Sequence, residues 1–235
     1  FTNEIMLVIY TSGKINELEI IKNLSKYVTS IVKYDSSYQV IYGKPYIIEK
    51  MNDLEFMISP SSFFQINTEQ ALKLYDLVLE LANLKGNETI VDLYCGTGTI
   101  GLYLSRYCKK VIGVEINKDS INDAIKNKEL NNINNIDFIS GDVTKVINNL
   151  EVIPDIFVVD PPRSGLDDNI IAKLKKYSPN KIIYVSCDPI TLARDLEKLK
   201  ELYKLEIIIP VDMFANTQHV ENVVLMTKLK KEWRM

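Results

Sequence analysis

The chain has 235 residues, of which 46% are hydrophobic and 25% are charged, and its formal net charge is −3. These values are ordinary for a globular protein and exclude intrinsic disorder, collagen and coiled coil. Without a basic excess, a nucleic-acid partner would need a local patch. Three cysteines, Cys95, Cys108 and Cys187, lack CxxC spacing, which argues against a disulfide framework or zinc site and favours a reducing cytoplasm. No apolar run reaches the roughly 18 residues of a membrane span, and no signal peptide is visible.

The first 50 residues predict a small α/β unit. Strands are expected at residues 5–10, 38–42 and 46–49, and a helix at residues 16–29. The chain starts with Phe1 and enters a strand-like run at once, so we expect it to be part of a longer protein. A polar stretch at residues 51–55 predicts a boundary between a unit of residues 1–50 and a second unit of residues 51–235.

The remainder of the chain alternates short apolar strands with helices. A long helix is predicted from Asn67 or Thr68 to just before Gly86. The expected strands are residues 89–95, 110–116, 136–140, 156–160, 181–186, 205–211 and 220–229, and the expected helices are 99–107, 119–131, 143–150, 168–177 and 189–202. This pattern predicts an α/β fold with a mostly parallel sheet covered on both faces. The last two strands are too close in sequence for a crossover helix, so we expect them to pair antiparallel.

A glycine-rich turn, Gly96-Thr97-Gly98-Thr99-Ile100-Gly101, follows the first of these strands. Its spacing lets the backbone approach a ligand closely, and Glu115 at the end of the next strand is placed to bind ribose hydroxyls. Both features suit a dinucleotide as well as S-adenosylmethionine. Asp92, just before the turn, favours a cationic ligand because a carboxylate there repels a pyrophosphate.

Two residues beside the turn have two interpretations each. Tyr94 either stacks on the ligand or packs against the protein. Asp142, after the third strand, either meets an adenine amino group or caps a helix. The turn itself has a purely structural alternative, because glycine-rich turns between strands and helices are common.

Three more polar segments follow strands at the same edge of the sheet. Asp160-Pro161-Pro162-Arg163 is expected to form a rigid turn that presents Asp160 and Arg163. Cys187 begins a helix, and the helix terminus together with Arg163 is expected to lower the pKa of its thiol and create a nucleophile. Its alternative is a packing role, which we also expect for Cys95, and Cys108, after a helix, is expected to have no role. Glu221 is a candidate base, and the neighbouring His219, the only histidine, is more often structural.

Together these segments resemble the RNA (uracil-5-)-methyltransferase family, which makes 5-methyluridine in 23S rRNA or tRNA. The resemblance covers residues 56–229 and includes Phe63-Phe64-Gln65-Ile66-Asn67, the D-x-x-C-G-x-G-x-x-G turn from Asp92, and the D-P-P-R, S-C-D-P and H-V-E segments. It implies a Rossmann-like S-adenosylmethionine methyltransferase fold with an RNA partner, 23S rRNA ahead of tRNA. The cofactor contacts that it implies are Gln65, Tyr94, Glu115 and Asp160.

The same resemblance implies the chemical roles. Cys187 is the nucleophile and adds to uracil C6, which makes C5 able to attack a sulfonium methyl; Glu221 then removes the C5 proton. Asp160 and Arg163 hold the uracil edge or stabilise charge at its oxygen, and no metal is needed. The target base must leave its stack to react. Residues 1–50 resemble the family's central, RNA-contacting domain, and an amino-terminal oligonucleotide-binding domain or iron–sulfur cluster is expected only in a longer chain.

Other functions stay open at this point. An amino-methyltransferase usually carries an aromatic residue after its two prolines, where this chain has Arg163, and a 5-methylcytosine enzyme usually carries its cysteine after a proline. A nicotinamide oxidoreductase fits the glycine spacing but leaves Gln65, Cys187 and Glu221 without a role. A non-catalytic RNA-binding module is the remaining alternative.

Overall fold

A computed structural model describes residues 2–230. The strands in this range are β1 (Met6–Tyr10), β2 (Ser30–Tyr34), β3 (Tyr38–Tyr42), β4 (Ile47–Met51), β5 (Leu54–Ile58), β6 (Thr89–Leu93), β7 (Lys110–Glu115), β8 (Ile136–Ser140), β9 (Ile156–Val159), β10 (Lys181–Ser186), β11 (Tyr203–Val211) and β12 (Glu221–Lys228). The helices are α1 (Glu17–Leu24), α2 (Thr68–Ala82), α3 (Thr99–Ser105), α4 (Lys118–Leu130), α5 (Val143–Asn148), α6 (Asp168–Tyr177) and α7 (Pro189–Leu199). Phe1 and the last five residues of the predicted second unit, 231–235, lie outside the described residues.

The amino-terminal sheet has the order β1-β2-β3, with β1 and β2 parallel and β2 and β3 antiparallel. The helix predicted at residues 16–29 was too long, because α1 ends at Leu24 and β2 follows it. The β-branched residues Val28, Thr29, Ile31 and Val32 explain the difference. Their side chains are restricted in a helix and pack well on a pleated strand.

The polar stretch at residues 51–55 is the turn and second strand of a hairpin formed by β4 and β5. Asn52 occupies the turn with a φ of +51°, a left-handed conformation that asparagine adopts more readily than most residues. The boundary predicted after residue 50 therefore falls inside this hairpin, and the division into two domains stays a prediction.

The large sheet has the strand order β11-β12-β10-β9-β6-β7-β8. Strands β6 to β10 are parallel to one another, and β12 is antiparallel to both β10 and β11. The predicted mostly parallel α/β sheet with a reversed last strand is thus confirmed. The chain order reverses at β6, with β7 on one side and β9 on the other, and α/β sheets bind ligands at the carboxyl ends of strands at such a point.

Neighbouring strand residues point to two separate apolar layers, one on each face of this sheet. In β6, Ile90 packs in a layer with α2 and α3, whereas Val91 packs in a layer with α5, α6 and α7. Both side chains are fully buried. Because both faces of the sheet are covered, its strands have mainly apolar sequences. Within residues 2–230, every helix is too short or too polar to cross a lipid bilayer.

Candidate active site

The glycine-rich turn after β6 has an unusual backbone. Tyr94, Gly96 and Gly98 all have positive φ values, of +65°, +54° and +78°. Glycine adopts this conformation readily, but a tyrosine in it is strained, and such strain is concentrated at ligand sites. The tight turn at the two glycines was predicted from the sequence, but nothing in the sequence indicated the conformation of Tyr94.

The glycines of this turn serve different purposes. A Cβ at Gly98 would lie 2.5 Å from the ring of Phe138, and a Cβ at Gly101 would lie 3.0 Å from Oδ2 of Asp92, so both positions need the close packing that glycine allows. A Cβ at Gly96 would meet no atom within 4 Å. The backbone at Gly96 therefore borders open space from which a ligand could approach it.

Asp92 is fully buried, and neither of its carboxylate oxygens accepts a hydrogen bond of normal geometry from the described residues. Burial, with the charge of Glu115, raises the pKa of Asp92 to about 7, although the nearby amide of Gly101 opposes the rise. Burying an ionised carboxylate without a hydrogen-bond donor destabilises the folded protein. Its environment is therefore suited to a cation or hydrogen-bond donor supplied from outside the chain.

Glu115 ends β7 and is bonded to the glycine-rich turn. Its Oε2 accepts a hydrogen bond from the amide of Gly96 at 3.2 Å, and its Oε1 accepts one from the amide of Asn117 at 2.8 Å. Each carboxylate oxygen has a second lone pair. Glu115 therefore fixes the turn and keeps acceptor capacity, as the predicted contact with ribose hydroxyls requires.

Asp142 and Glu115 both lie close enough to Tyr94 for their charges to act on its phenol. Burial, together with the charges of Asp167 and Asp142, raises the pKa of Tyr94 to about 12, so its phenol stays neutral. Asp142 caps α5, because its Oδ1 accepts a hydrogen bond from the amide of Lys145 at 3.1 Å. The capping alternative for Asp142 is therefore present in the structure, and its contact with a ligand stays a prediction.

Gln65 lies in the segment between β5 and α2. Its Oε1 is buried and has no hydrogen-bond partner among the described residues. Asn67 holds this segment in place, since its Oδ1 accepts from the amide of Gln70 at 3.1 Å and its Nδ2 donates to the carbonyl of Met213 at 3.2 Å. The predicted cofactor residue thus presents an unused acceptor from a fixed segment.

Cys187 and Glu221 lie beside each other at the ends of two paired strands. Ser186, the last residue of β10, pairs with Asn222 of β12, which places the next residue on each side in the same register. Glu221 is buried and Cys187 is partly exposed. Cys187 precedes the first turn of α7, as predicted, and Asp188 caps that helix by accepting from the amide of Thr191 at 2.8 Å.

The electrostatics of the thiol differ from the prediction. Burial and the charges of Glu221 and Asp160 raise the pKa of Cys187, and the opposing effect of Arg163 is smaller. The expected net lowering of this pKa was therefore wrong for the protein without ligand. The sequence placed Cys187, Glu221 and Asp160 at one edge of the sheet but did not show that the negative charges outweigh the positive one.

The carboxyl groups around the thiol also resist ionisation. Burial and the charges of Glu221 and Asp92 raise the pKa of Asp160 to about 8. Burial raises the pKa of Glu221, against the effect of Arg163. Asp92, Asp160 and Glu221 therefore form a group of carboxyls that a bound cation would stabilise in the ionised form.

Arg163 and His219 meet at the exposed side of this site. Nη2 of Arg163 lies 3.4 Å from Nε2 of His219. The contact joins the D-P-P-R loop to the H-V-E segment, and the sequence did not predict it because the two residues are 56 positions apart. His219 thus contacts a predicted site residue.

The other two cysteines pack inside the protein, as expected for Cys95. Cys95 is 7% exposed and Cys108 is 8% exposed. Burial raises the pKa of Cys95 well above its usual range and that of Cys108 to about 11. Among residues 2–230, no three cysteine, histidine, aspartate or glutamate side chains are grouped closely enough to hold a metal ion.

The fold is that of S-adenosylmethionine-dependent methyltransferases. The tRNA (uracil-54, C5)-methyltransferase of Pyrococcus abyssi, solved with S-adenosyl-L-homocysteine, superimposes with a TM-score of 0.80 and 33% identity over 95% of this chain and 56% of that one. The tRNA m1G37 methyltransferase of Methanocaldococcus jannaschii shares the fold alone, with a TM-score of 0.67 and 16% identity over 97% and 71% of the two chains.

The sequence comparisons define the family. The model of the tRNA (Uracil-5-)-methyltransferase family matches residues 13–229, and the chain belongs to this family. Uncharacterized RNA methyltransferases of Clostridium tetani and Staphylococcus aureus are 45% and 43% identical over 96% and 95% of this chain, and 53% of each relative is covered. The chain spans about half the length of the curated relatives it matches. The predicted family is confirmed.

Proposed function

We propose that this chain transfers a methyl group from S-adenosylmethionine to C5 of a uridine in RNA, through a covalent bond between Cys187 and uracil C6. The observation that carries the proposal is the register of β10 and β12. It sets a thiol and a buried carboxyl side by side at the edge of the sheet where ligands bind. This reaction needs one nucleophile and one base acting on neighbouring carbons of the same ring.

The cofactor is supported by the acceptors that the protein leaves unused. S-adenosylmethionine carries an ammonium group, a sulfonium, ribose hydroxyls and an adenine amine, which are cations or donors. Asp92 and Gln65 present buried oxygens without partners, and Glu115 retains acceptor capacity. Gly96 leaves open space at the turn. The bound cofactor supplies the electrophilic methyl group, with Tyr94, Asp142 and Asp160 as further proposed contacts.

Cys187 and Glu221 divide the chemistry between them. The thiolate of Cys187 adds to uracil C6, and the electron pair of the C5–C6 double bond becomes available at C5. C5 would then take the methyl group as its bond to the sulfonium breaks, which leaves S-adenosylhomocysteine as the neutral thioether. Glu221 then removes the proton from C5, the double bond re-forms and the thiolate leaves C6. Burial raises the pKa of Glu221, which favours its action as a proton acceptor near neutral pH.

Arg163 and Asp160 complete the site. Negative charge develops on the uracil oxygen when the thiolate adds, and the guanidinium of Arg163 is the cation that acts on both Cys187 and Glu221. Asp160 holds the uracil edge, and its pKa is raised to about 8, so near neutral pH it is largely protonated in the protein without ligand. A cationic cofactor would shift it towards the ionised form.

We further propose that the amino-terminal sheet, within the predicted unit of residues 1–50, contacts the RNA. Tyr10, Tyr34 and Tyr38 pair across its three strands, with ring centroids 5.3 Å and 4.7 Å apart. Tyr10 is 66% exposed, and exposed aromatic rings stack on unpaired bases. We also propose a cytoplasmic location, because an enzyme of this kind works where RNA is made and modified.

Two classes of RNA fit this proposal. The sequence-based expectation is 23S rRNA, and the Pyrococcus neighbour is named for tRNA. A nicotinamide oxidoreductase explains the glycine spacing, but it gives no role to the paired Cys187 and Glu221 or to the buried carboxylate of Asp92. The methyl-transfer proposal uses all three.

Nucleoside analysis tests the proposal. The full-length protein would be incubated with S-adenosylmethionine carrying a deuterated methyl group and, separately, with unmodified 23S rRNA and tRNA transcripts. We expect labelled 5-methyluridine in one of the two RNAs, loss of at least 1000-fold in rate for Cys187→Ala, since nucleophilic catalysis is removed, and nearly full activity for the matched control Cys108→Ala. Labelled product on another base, or activity retained by Cys187→Ala, would contradict it.

A further inference from the structure

Helix α7 holds the loop that carries Arg163. Oγ1 of Thr191 donates to the carbonyl of Arg163 at 3.0 Å, and Nη2 of Arg194 donates to the carbonyls of Ser164 and Leu166 at 2.8 Å and 3.2 Å. Oδ2 of Asp195 accepts from the amide of Leu166 at 2.7 Å. Four backbone groups of one short loop are therefore bonded to three side chains of one helix face. We call these side chains, Thr191, Arg194 and Asp195, the α7 clamp.

Further hydrogen bonds hold Asp195, one of the clamp residues, in place. Asp195 is fully buried, its Oδ2 also accepts from the hydroxyl of Tyr184 at 2.9 Å, and its Oδ1 accepts from Nε of Arg194 at 2.8 Å. A Cβ at Gly165 would lie 2.5 Å from Oδ2 of Asp195, so the loop backbone rests directly on the carboxylate. With a φ of +73°, Gly165 provides both the turn and the close approach.

The same helix face is joined to the loop of Cys187. Asp188 accepts from the amide of Thr191 at 2.8 Å, and its own amide donates to Oγ of Ser186 at 3.2 Å. Cys187 lies between Ser186 and Asp188. Oγ1 of Thr191 also lies 3.3 Å from the carbonyl oxygen and 3.1 Å from Oδ1 of Asp188. Thr191 thus contacts the nucleophile loop through its amide and its hydroxyl, and the Arg163 loop through its hydroxyl.

We propose that Thr191, Arg194 and Asp195 are positioning residues that set Arg163 against Cys187 and fix the spacing of the two loops. This inference rests on the proposed function, because it assigns the clamp to the site in which Cys187 is the nucleophile. A loop whose residues 162–164 are exposed to solvent would otherwise have few contacts to hold its guanidinium in one place. The clamp provides them from the helix that Cys187 itself precedes.

The effect of the clamp reaches the thiol through charge. The charged side chains that act on Cys187 are Glu221 of β12, Asp160 after β9 and Arg163, and of these three Arg163 alone lowers the pKa of the thiol, with a smaller lowering by the cysteine's own backbone amide. Asp188, on the cysteine's own loop, is occupied as the helix cap. Loosening the Arg163 loop should therefore leave the carboxyls unopposed and reduce the thiolate fraction.

Alkylation of Cys187 measures this without turnover or RNA. The full-length protein would be treated with iodoacetamide from pH 6 to pH 9.5, and the Cys187 peptide quantified by mass spectrometry, with the buried Cys95 and Cys108 peptides as internal references. We expect Thr191→Val to slow alkylation at pH 7.5 about threefold, which corresponds to a rise of about half a pKa unit, since a full unit changes the thiolate fraction tenfold. Thr191→Ser, which keeps the hydroxyl, should restore the wild-type profile.

A double-mutant comparison separates positioning from a general loss of structure. Arg163→Ala should shift the profile at least as far as Thr191→Val, and Thr191→Val should add nothing in the Arg163→Ala background. Lys198→Met, one turn beyond Arg194 in α7, is the matched control and should leave the profile unchanged. If Thr191→Val lowers the melting temperature so far that the profile is uninterpretable, Arg194→Lys replaces it with the same expectation.

Three results would overturn the inference: equal shifts by Thr191→Val with and without Arg163, an unchanged profile for Thr191→Val when Arg163→Ala shifts it, or no shift for Arg163→Ala. None of them depends on whether the protein methylates uridine. A protein that shows the predicted profiles but makes no 5-methyluridine would refute the proposed function and leave the positioning role of the clamp intact.

Discussion

Three carboxyl groups and one thiol share a small part of the carboxyl edge of the large sheet. Asp92 and Asp160 have pKa values raised to about 7 and about 8, and those of Glu221 and Cys187 are raised as well. Each group therefore stays protonated more readily than it would in water. Binding of a cation would release these protons, which couples cofactor binding to activation of the site.

Glu221→Gln should separate the two halves of the reaction. Without a base the C5 proton stays in place, so the thiol cannot be eliminated, and we expect methylated RNA to remain attached to Cys187. Denaturing gels and intact mass would show the adduct with ordinary uridine RNA. The matched control is Glu206→Gln, an exposed-strand glutamate bonded to Lys204 and Thr227, which should turn over normally. Free methylated product from Glu221→Gln at the wild-type rate would contradict the assigned role.

The residues of the site were predicted better than their interactions. Parallel strands bring their carboxyl ends to one edge, so residues such as Asp160 and Cys187 could be placed together from strand positions alone. The contact of Arg163 with His219 and the strained Tyr94 depend on loop conformations that no local pattern encodes. The direction of the thiol pKa depends on the sum of opposing charges, which needs their distances.

At the scale of the elements, the turn between β6 and α3 combines packing and ligand access. Gly98→Ala places a methyl against Phe138 and Ala124 at a positive φ, and we expect a loss of about 2–4 kcal/mol in the free energy of unfolding. Gly96→Ala meets no neighbouring atom and should cost only the backbone strain, about 1–2 kcal/mol, while weakening S-adenosylhomocysteine binding. Urea unfolding and calorimetric titration measure the two effects. Equal stability losses, or unchanged binding by Gly96→Ala, would contradict this division.

The elements of the large sheet were predictable because most of its strands are short, mainly apolar runs between polar loops. β12, the one reversed strand, followed from the short connection before it. The errors lay in the amino-terminal region, where the helix was extended over Val28 and Thr29, and β2 and β5 were missed. A pattern of apolar residues spaced for a helix competes there with β-branched residues, and the pairing of β2 with both β1 and β3 decides the outcome.

At the scale of the whole molecule, the buried carboxyls make stability depend on pH. The folded-state pKa values of Asp92 and Asp160 lie above the value of about 4 expected for an unfolded chain. Between pH 4 and pH 8 the folded protein thus binds more protons than the unfolded one, and the free energy of unfolding falls as the pH rises through this window.

Asp92→Asn should weaken the dependence of the free energy of unfolding on pH. The amide does not titrate, so its contribution to the slope, on the order of a few kcal/mol between pH 5 and pH 8 at most, disappears. Urea unfolding of the ligand-free protein at pH 5.5, 7 and 8 compares the two slopes. The charge of Asp92 also raises the pKa of Asp160, so its loss lowers that pKa and makes the slope shallower in the same direction. Identical slopes for the variant and the wild-type protein, or a wild-type stability that increases with pH, would contradict the assignment.

The covalent step is the centre of this account, and an RNA that contains 5-fluorouridine tests it most directly. Fluorine at C5 cannot be removed as a proton, so the bond between the thiol and C6 should persist after methyl transfer. Intact mass of the full-length protein with S-adenosylmethionine and this RNA should show a methylated RNA–protein adduct that disappears in Cys187→Ala and remains in Cys95→Ala. Methyl transfer without an adduct, or an adduct that survives Cys187→Ala, would contradict the account.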